Sequence, residues 1–280
     1  MALSVHTNYS ALVAQNALNQ NQNSLNTAME RLGTGLRINS AADDAAGLSI
    51  ANKLEAQTRG MTVAMRNSQD AISMLQTADG ALDELSNIAY RMKDLATQAA
   101  NDSNGLSERV SLDAEYQELK AEAERIMEFT SYGAGDLLFR NGRLENPMEF
   151  QIGASSDEFI EVDMSGELTN IDFAGTLGTI TGDTAANSGA RAEIDAVTLL
   201  FDNINTLRGK TGATINRLEH TISNLGNIVE NTSAAKGRIM DADFAVESSN
   251  MSKQQILMQA GTSVLAQAKQ MTGLVTSLLR

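Results

Sequence analysis

The sequence predicts a mainly α protein. It should be a long antiparallel helical bundle, a rod made from the N-terminal and C-terminal thirds, with a small β-hairpin region and a tip loop in the middle. Three observations predict this. Two distant segments carry apolar heptads, the chain has 1 proline in 280 residues, and aromatic residues make up only 4%. Proline most strongly interrupts helices, and the apolar fraction, mostly Ala, Leu, Ile, Val and Met, suits helices packed side by side.

The N-terminal stretch from Met1 to Met29 contains no Asp, Glu, Lys or Arg, yet Ala11, Leu18, Leu25 and Leu32 recur every seven residues. An uncharged amphipathic helix follows. Next comes Asn39-Ser40-Ala-Ala-Asp43-Asp44, in which Ser40 and Asp43 fit the Ser-x-x-acid start of a long helix. Leu75, Ala78, Leu82, Leu85, Ala89, Met92, Ala96 and Ala99 then form the cleanest seam in the chain. A helix from 44 to 100 would extend roughly 85 Å at 1.5 Å per residue. A compact globule of this length has a radius of gyration of only about 19 Å, hence the rod.

Residues 106–129 read as a shorter helix with an acidic exposed face. From Leu137 to Asp163 the pattern changes to short β-type runs, LLFRNGRL, MEFQIG and EFIEVDM, broken by Asn141-Gly142 and Pro147. Residues 165–190 are rich in Gly, Thr and Ser and read as the tip loop. Downstream, Ile194, Val197, Phe201, Ile204, Ile215, Leu218, Ile222, Leu225 and Val229 share one register. Arg208 and Thr211 weaken this helix locally without breaking it, because the heptad count survives across them. At the C-terminus Leu257, Ala260, Val264, Ala268, Met271, Val275 and Leu278 form a last stripe, in a segment with no acid after Glu247. Soluble monomers keep charge on exposed helices, so amide-rich, charge-poor helices at both ends mark surfaces that other chains cover. Such helices draw their stability from packing, so both ends should be disordered in the free chain and helical in an assembly.

Composition excludes several functions. A formal charge of -14 disfavours nucleic acid, which is bound through clustered Lys and Arg. With no cysteine there can be no disulfide, thiol nucleophile or thiolate metal site. No run of about 20 apolar residues is available to enter a membrane. The opening MALSVHTNYS has neither the basic stretch nor the apolar run of a cleaved leader, so export would proceed by a route without one. The sequence points to no catalytic, cofactor-binding or metal residues. His6 and His220 are the only histidines and stand far apart. Asp241-Ala-Asp243 lacks the spacing of a calcium loop. Gly209-Lys210-Thr211 lacks the glycine a phosphate loop needs five positions earlier, where Ile204 stands.

The opening MALSVHTNYSALVAQNALN, the segments RLGTGLRINSAADDAAGLSIANKLEAQTRGM and RNSQDAISMLQTADGALDEL, and the C-terminal KGRIMDADFAVESSNMSKQQILMQAGTSVLAQA with its final LVTSLLR closely resemble the bacterial flagellin family. The resemblance is weakest over 141–190. It implies a short form with reduced surface domains. Residues 1–45 and 235–280 would be the two halves of the inner filament core, 46–140 the N-terminal rod helices, 141–190 the hairpin and variable tip, and 191–234 the C-terminal rod helix. It also implies a secreted, extracellular structural subunit that polymerises for swimming and is not an enzyme. Such a subunit is exported unfolded by a type III route, with a chaperone on its C-terminal helix and cap and junction proteins as partners. Self-assembly would use Leu18, Leu25, Leu32, Leu257, Val264, Met271, Val275 and Leu278. Toll-like receptor 5 would contact Arg91 and Leu95 in YRMKDLATQAAN and Glu115 in LDAEYQEL; the plain reading of Leu95 is packing on a second helix face. Thr169, Thr176, Thr179, Thr181, Thr184 and Ser188 could accept O-linked sugars, or belong to a bare solvated loop. Two other readings share the heptads: a hook-filament junction protein of the same family, and a soluble coiled-coil scaffold. The scaffold should keep charged ends.

Overall fold

The computed structural model describes residues 7–181 and 188–278, and for Ser188 and residues 271–278 the backbone only. His6 and Thr184 lie outside the described residues. The elements are α1 (Tyr9–Thr34), α2 (Ala45–Ala99), α3 (Leu106–Phe129), β1 (Ser131–Tyr132), β2 (Asp136–Leu137), a 3-10 turn (Arg143–Glu145), β3 (Met148–Gln151), β4 (Phe159–Val162), α4 (Ser165–Thr169), α5 (Phe173–Thr176), α6 (Ser188–Met240) and α7 (Phe244–Leu278). The fold is mainly α with two small antiparallel strand pairs, the class the heptads predict. Two compact units share the chain: Gln57–Glu230, and Met1–Ala56 with Asn231–Arg280. Their boundaries fall inside α2 and α6.

The unit Gln57–Glu230 holds the main core. All eight residues of the α2 seam, Leu75 to Ala99, are buried. They share a cluster with Tyr116, Ala123 and Met127 of α3 and Val197, Leu200, Ile204, Leu207 and Leu218 of α6. Here α2 and α6 run antiparallel: Arg208 reaches Asp79 at 3.0 Å and Asp83 at 2.9 Å, while Tyr90 meets Phe201 further along. The α6 helix passes through 208–212 unbroken. Thr211 is buried and donates to its own Leu207 carbonyl, so its hydroxyl is satisfied inside the seam.

Two expectations for the middle of the chain change. LLFRNGRL is not a hairpin: only Asp136–Leu137 pairs, with Ser131–Tyr132. Leu138, Phe139 and Leu144 go into the core while Asn141, at φ 52, turns the chain into the 3-10 turn. A β-carbon at Gly142 would fall 2.4 Å from the Leu138 backbone, so this turn requires glycine. The true hairpin is β3–β4, with Phe150 opposite Ile160. Residues 165–181 are more than a loop, since α4, α5 and the following segment bury Leu168, Ile171, Phe173, Leu177 and Ile180.

That last segment is held by side chains. Glu193 of α6 accepts the Gly178 N–H and the Tyr116 hydroxyl, both at 2.8 Å, and Asp113 of α3 accepts the Ile180 N–H at 2.8 Å. Burial, then the hydrogen bond to Glu193, pushes the Tyr116 phenol far above its usual range.

Candidate assembly interface

The termini pair as α1 and α7, antiparallel: Asn8 Nδ2 donates to the Ala268 carbonyl at 2.8 Å, and Arg31 meets Glu247 at 2.9 Å at the other end. The ends of α1 are well formed. Asn8 caps the start through Ala11 N–H, and Gly35, at φ 74, closes the C-terminus with an N–H bond to the Arg31 carbonyl. At α7, the Asp243 carboxylate accepts the Ala245 and Val246 N–H groups, which is the structural use the sequence suggests for this aspartate.

The connectors are tied together. Leu36 forms a β-bridge with Asp241, Arg37 N–H donates to the Met240 carbonyl, and the Arg37 guanidinium donates to the Ile239 carbonyl at 2.9 Å. Arg37 of the N-terminal connector thus satisfies two terminal α6 carbonyls, Ile239 through its side chain and Met240 through its backbone N–H. The start of α2 differs from expectation. Asp44, not Ser40, caps it through Gly47 N–H at 2.8 Å. Asp43 instead folds the preceding turn, and the N–H groups of Ser40 and Asn39 hold its carboxyl below the usual aspartate range.

Within the pair, the least exposed α1 residues are Ala11, Ala14, Leu18, Asn21, Leu25, Ala28 and Leu32, an unbroken heptad. The matching α7 residues are Glu247, Met251, Gln254, Met258, Gly261, Leu265 and Ala268. Gly261 permits close approach, because the Leu18 methyl lies 3.2 Å from where its β-carbon would be. Leu25 is buried against the chain's own α7, and Leu18 and Leu32 are half-buried on the same face. Leu257 and Val264 stand on a different face of α7, 40% and 57% exposed, together with Val246. Helix α1 likewise exposes Tyr9, Leu12 and Val13. Met271, Val275 and Leu278 continue α7, but their side chains lie outside the described residues. The heptad phase of Glu247 through Ala268, with its glutamate, glutamine and glycine, was the signal that would have separated the two faces.

The Arg31–Glu247 pair sits at the edge of this seam. Its hydrogen bond is the first cause holding the Glu247 carboxyl below the usual glutamate range, and the Asn250 amide adds to it at 3.2 Å.

Of the other predicted positions, Arg91 and Glu115 come together at 2.6 Å and stay exposed, while Leu95 is buried in the core and offers no surface. Burial against α2's neighbours corrects its reading as a contact residue. Thr169, Thr176 and Thr179 are exposed, Thr181 is half-buried, and the Ser188 side chain is not among those described. His220 is exposed on α6. Among the described residues, no three His, Asp or Glu side chains gather as a metal site, and no helix is long and apolar enough to cross a membrane.

Two antiparallel helices pair along their length and leave apolar residues uncovered on other faces. This is the pattern of a structural subunit with no catalytic constellation among the described residues, and comparison with known proteins gives the family. The model of the bacterial flagellin N-terminal helical region matches residues 5–141, and that of the C-terminal helical region matches residues 194–279. A flagellin of Halalkalibacterium halodurans is 41% identical over 277 residues, covering 99% of both chains. Flagellin A of Vibrio anguillarum is 37% identical over 382 aligned positions covering all of both chains. Against that span the 280 residues here are a short form. A flagellar hook-associated protein of Vibrio parahaemolyticus shares the fold, at a TM-score of 0.61 over 71% of this chain and all of that one, but only 14% identity. The chain belongs to the bacterial flagellin family and is a subunit of the flagellar filament. Full-length identity to flagellins, against a likeness of fold alone to a hook-associated protein, sets the junction and scaffold readings aside.

Proposed function

We propose that this chain joins its neighbours in the filament through the uncovered face of α7, with the α1–α7 pair forming as the chain is added. The observation that carries this reading is the exposure of Val246, Leu257 and Val264 along one face of a helix whose other face is already occupied by α1. In this reading residues 1–45 and 235–280 make the inner core of the filament. Residues 46–140 and 191–234 supply the rod helices, and 141–190 the hairpin and variable tip. The subunit is secreted through the type III route with a chaperone on the C-terminal helix, and is added beneath a cap, above junction proteins. The test is seeded, ammonium-sulfate-induced polymerisation of the purified monomer. The intact chain should form filaments, whereas Leu257→Asp with Val264→Asp should not, at unchanged monomer helix content. Filaments from that double variant would overturn the assignment of this face.

A second reading concerns Toll-like receptor 5. It is favoured by the exposed Arg91–Glu115 pair, which presents both charges on neighbouring helices. Arg91→Ala should lower the response of receptor reporter cells to monomer; an unchanged response would remove this surface from the contact.

A further inference from the structure

Beside the uncovered face of α7, the α1–α7 pair has a polar notch. It measures about 300 Å³ and is lined by Ser24, Thr27, Ala28 and Arg31 of α1 and by Glu247, Asn250 and Gln254 of α7. Helical spacing puts it between Val246 and Leu257, alongside the same apolar stripe. The lining is chemically mixed. Arg31 brings a cation, Glu247 a carboxylate, and Ser24, Thr27, Asn250 and Gln254 bring hydroxyls and amides. Its hydrogen bonding is incomplete. Among the described residues, Arg31 Nε and Gln254 Oε1 are two of the three buried side-chain polar atoms without a partner, a donor and an acceptor on opposite walls.

A cationic visitor would meet Arg31 and an anionic one Glu247, so either is repelled from one side. A carboxamide carries a donor and an acceptor and no charge, and suits both walls. The chain itself supplies such groups. The face of α1 turned away from the seam exposes Gln15, Asn16, Asn19, Gln20 and Asn23, in a stretch with no Asp, Glu, Lys or Arg. That face has no covering segment within the α1–α7 pair, and the protein is a subunit of a filament.

We infer that the notch receives an Asn or Gln side chain from the α1 helix of a second copy, and that this insertion sets the axial register between neighbouring subunits. The inference rests on the α7 face being the joining surface. The apolar stripe supplies area with little positional preference, because its residues repeat along the helix. A polar notch filled by a single amide is satisfied at one register only. Gln254 has to turn its carboxamide toward the incoming group, which exchanges a closed-off oxygen for a bonded one.

Because the chain has no cysteine, the test is direct disulfide mapping in filaments grown from the full-length protein. Asn250→Cys is combined, one at a time, with Asn16→Cys, Asn19→Cys or Gln20→Cys, and filaments are oxidised and dissolved in denaturant. Those α1 positions are well over one helical turn from the part of α1 opposite residue 250. A bond within one chain is thereby excluded, since a disulfide needs α-carbons about 4.4–6.8 Å apart. The expected result is dimers and longer cross-linked chains from at least one α1 position, and none from Asn250→Cys alone. Filaments that form but never cross-link would overturn the notch assignment and leave the α7 joining face standing. Failure of the unsubstituted protein to polymerise would remove both. If the cysteine variants do not polymerise, the notch is filled instead with Thr27→Leu, with Thr27→Ser as control. The leucine variant should raise the monomer concentration needed for growth at least tenfold at unchanged helix content, and an equal value for both variants would overturn the inference.

Discussion

The α2–α3–α6 core and the α1–α7 pair use the same apolar heptad and reach opposite states of burial. In the core every α2 seam residue from Leu75 to Ala99 is shut away, because two other helices and the 165–181 segment close over it. In the pair, among the described side chains, only Leu25, Ala28 and Ala268 are buried apolar residues, and Tyr9, Leu12, Val13, Ile256, Leu257 and Val264 stay open. A heptad specifies one covered face. Whether a helix is complete depends on how many further faces need covering, and two helices cannot cover each other all round. The core closes over its own seam, while the pair leaves apolar faces open, the faces proposed above to meet other chains.

The sharpest way to break that contrast is a pair of truncations. Leu82→Ala removes a fully buried side chain and should cost about 2–5 kcal/mol in a urea unfolding experiment on the monomer. Leu257→Ala should leave monomer stability within about 0.5 kcal/mol while it impairs polymerisation. Equal destabilisation by both would mean that the α7 face is already packed in the free chain. Tyr116→Phe comes next. It withdraws one of the two hydrogen bonds reaching the buried Glu193 carboxylate and should destabilise the core by about 1–3 kcal/mol, read in the same experiment. A neutral outcome would mean that Glu193 is satisfied by Gly178 alone.

The pair has its own weak point, in acid. The Arg31 hydrogen bond depresses the folded pKa of Glu247, so its contribution is present above the ordinary glutamate range and is lost as pH falls through the lower folded value. In assembled filaments, where the pair is formed, helical signal from α1 and α7 should fall in that acid window, and Glu247→Gln should remove that component of the pH dependence. An identical acid profile in the variant would show that Glu247 does not link the pair to pH.

Much of this was legible in the sequence, and unevenly so. The α2 seam could be read residue by residue because it is apolar throughout and meets its partners along one line. In α6 the predicted register holds the buried Val197, Ile204, Leu218 and Leu225 and the half-buried Ile194, Phe201, Ile215 and Ile222, but it leaves out Leu200, Leu207, Thr211 and Thr214, which are buried as well. A helix packed against more than one partner buries a stripe wider than a heptad seam, and a buried threonine that bonds its own backbone looks polar in a sequence. The segment 165–181 was hidden by its Gly and Thr content, although Leu168, Ile171, Phe173, Leu177 and Ile180 anchor it. In α7 the apolar stripe is easier to see than the seam, because the seam runs through Glu247, Gln254 and Gly261. The apolar stripe that stays exposed on α7 was thus visible in the sequence, but the seam that packs on α1 was not.

The smallest expected effect belongs to Arg91 and Glu115, and it tests whether the surface of the core resembles the pair. Both side chains are about half exposed, 55% and 46%, and two guanidinium nitrogens share one carboxylate oxygen. Solvent screening and the entropy of fixing two long side chains oppose the attraction, so a double-mutant cycle with alanine should give a coupling of about 0.2–1 kcal/mol that shrinks with added salt. Leu95, one turn along α2 from Arg91, is buried in the core and packs there independently of the charges' geometry. A coupling well above that range, insensitive to salt, would mean that α3 depends on this ion pair for its docking. The core would then be completed at its surface by polar contacts, as the α1–α7 pair is at Arg31 and Glu247.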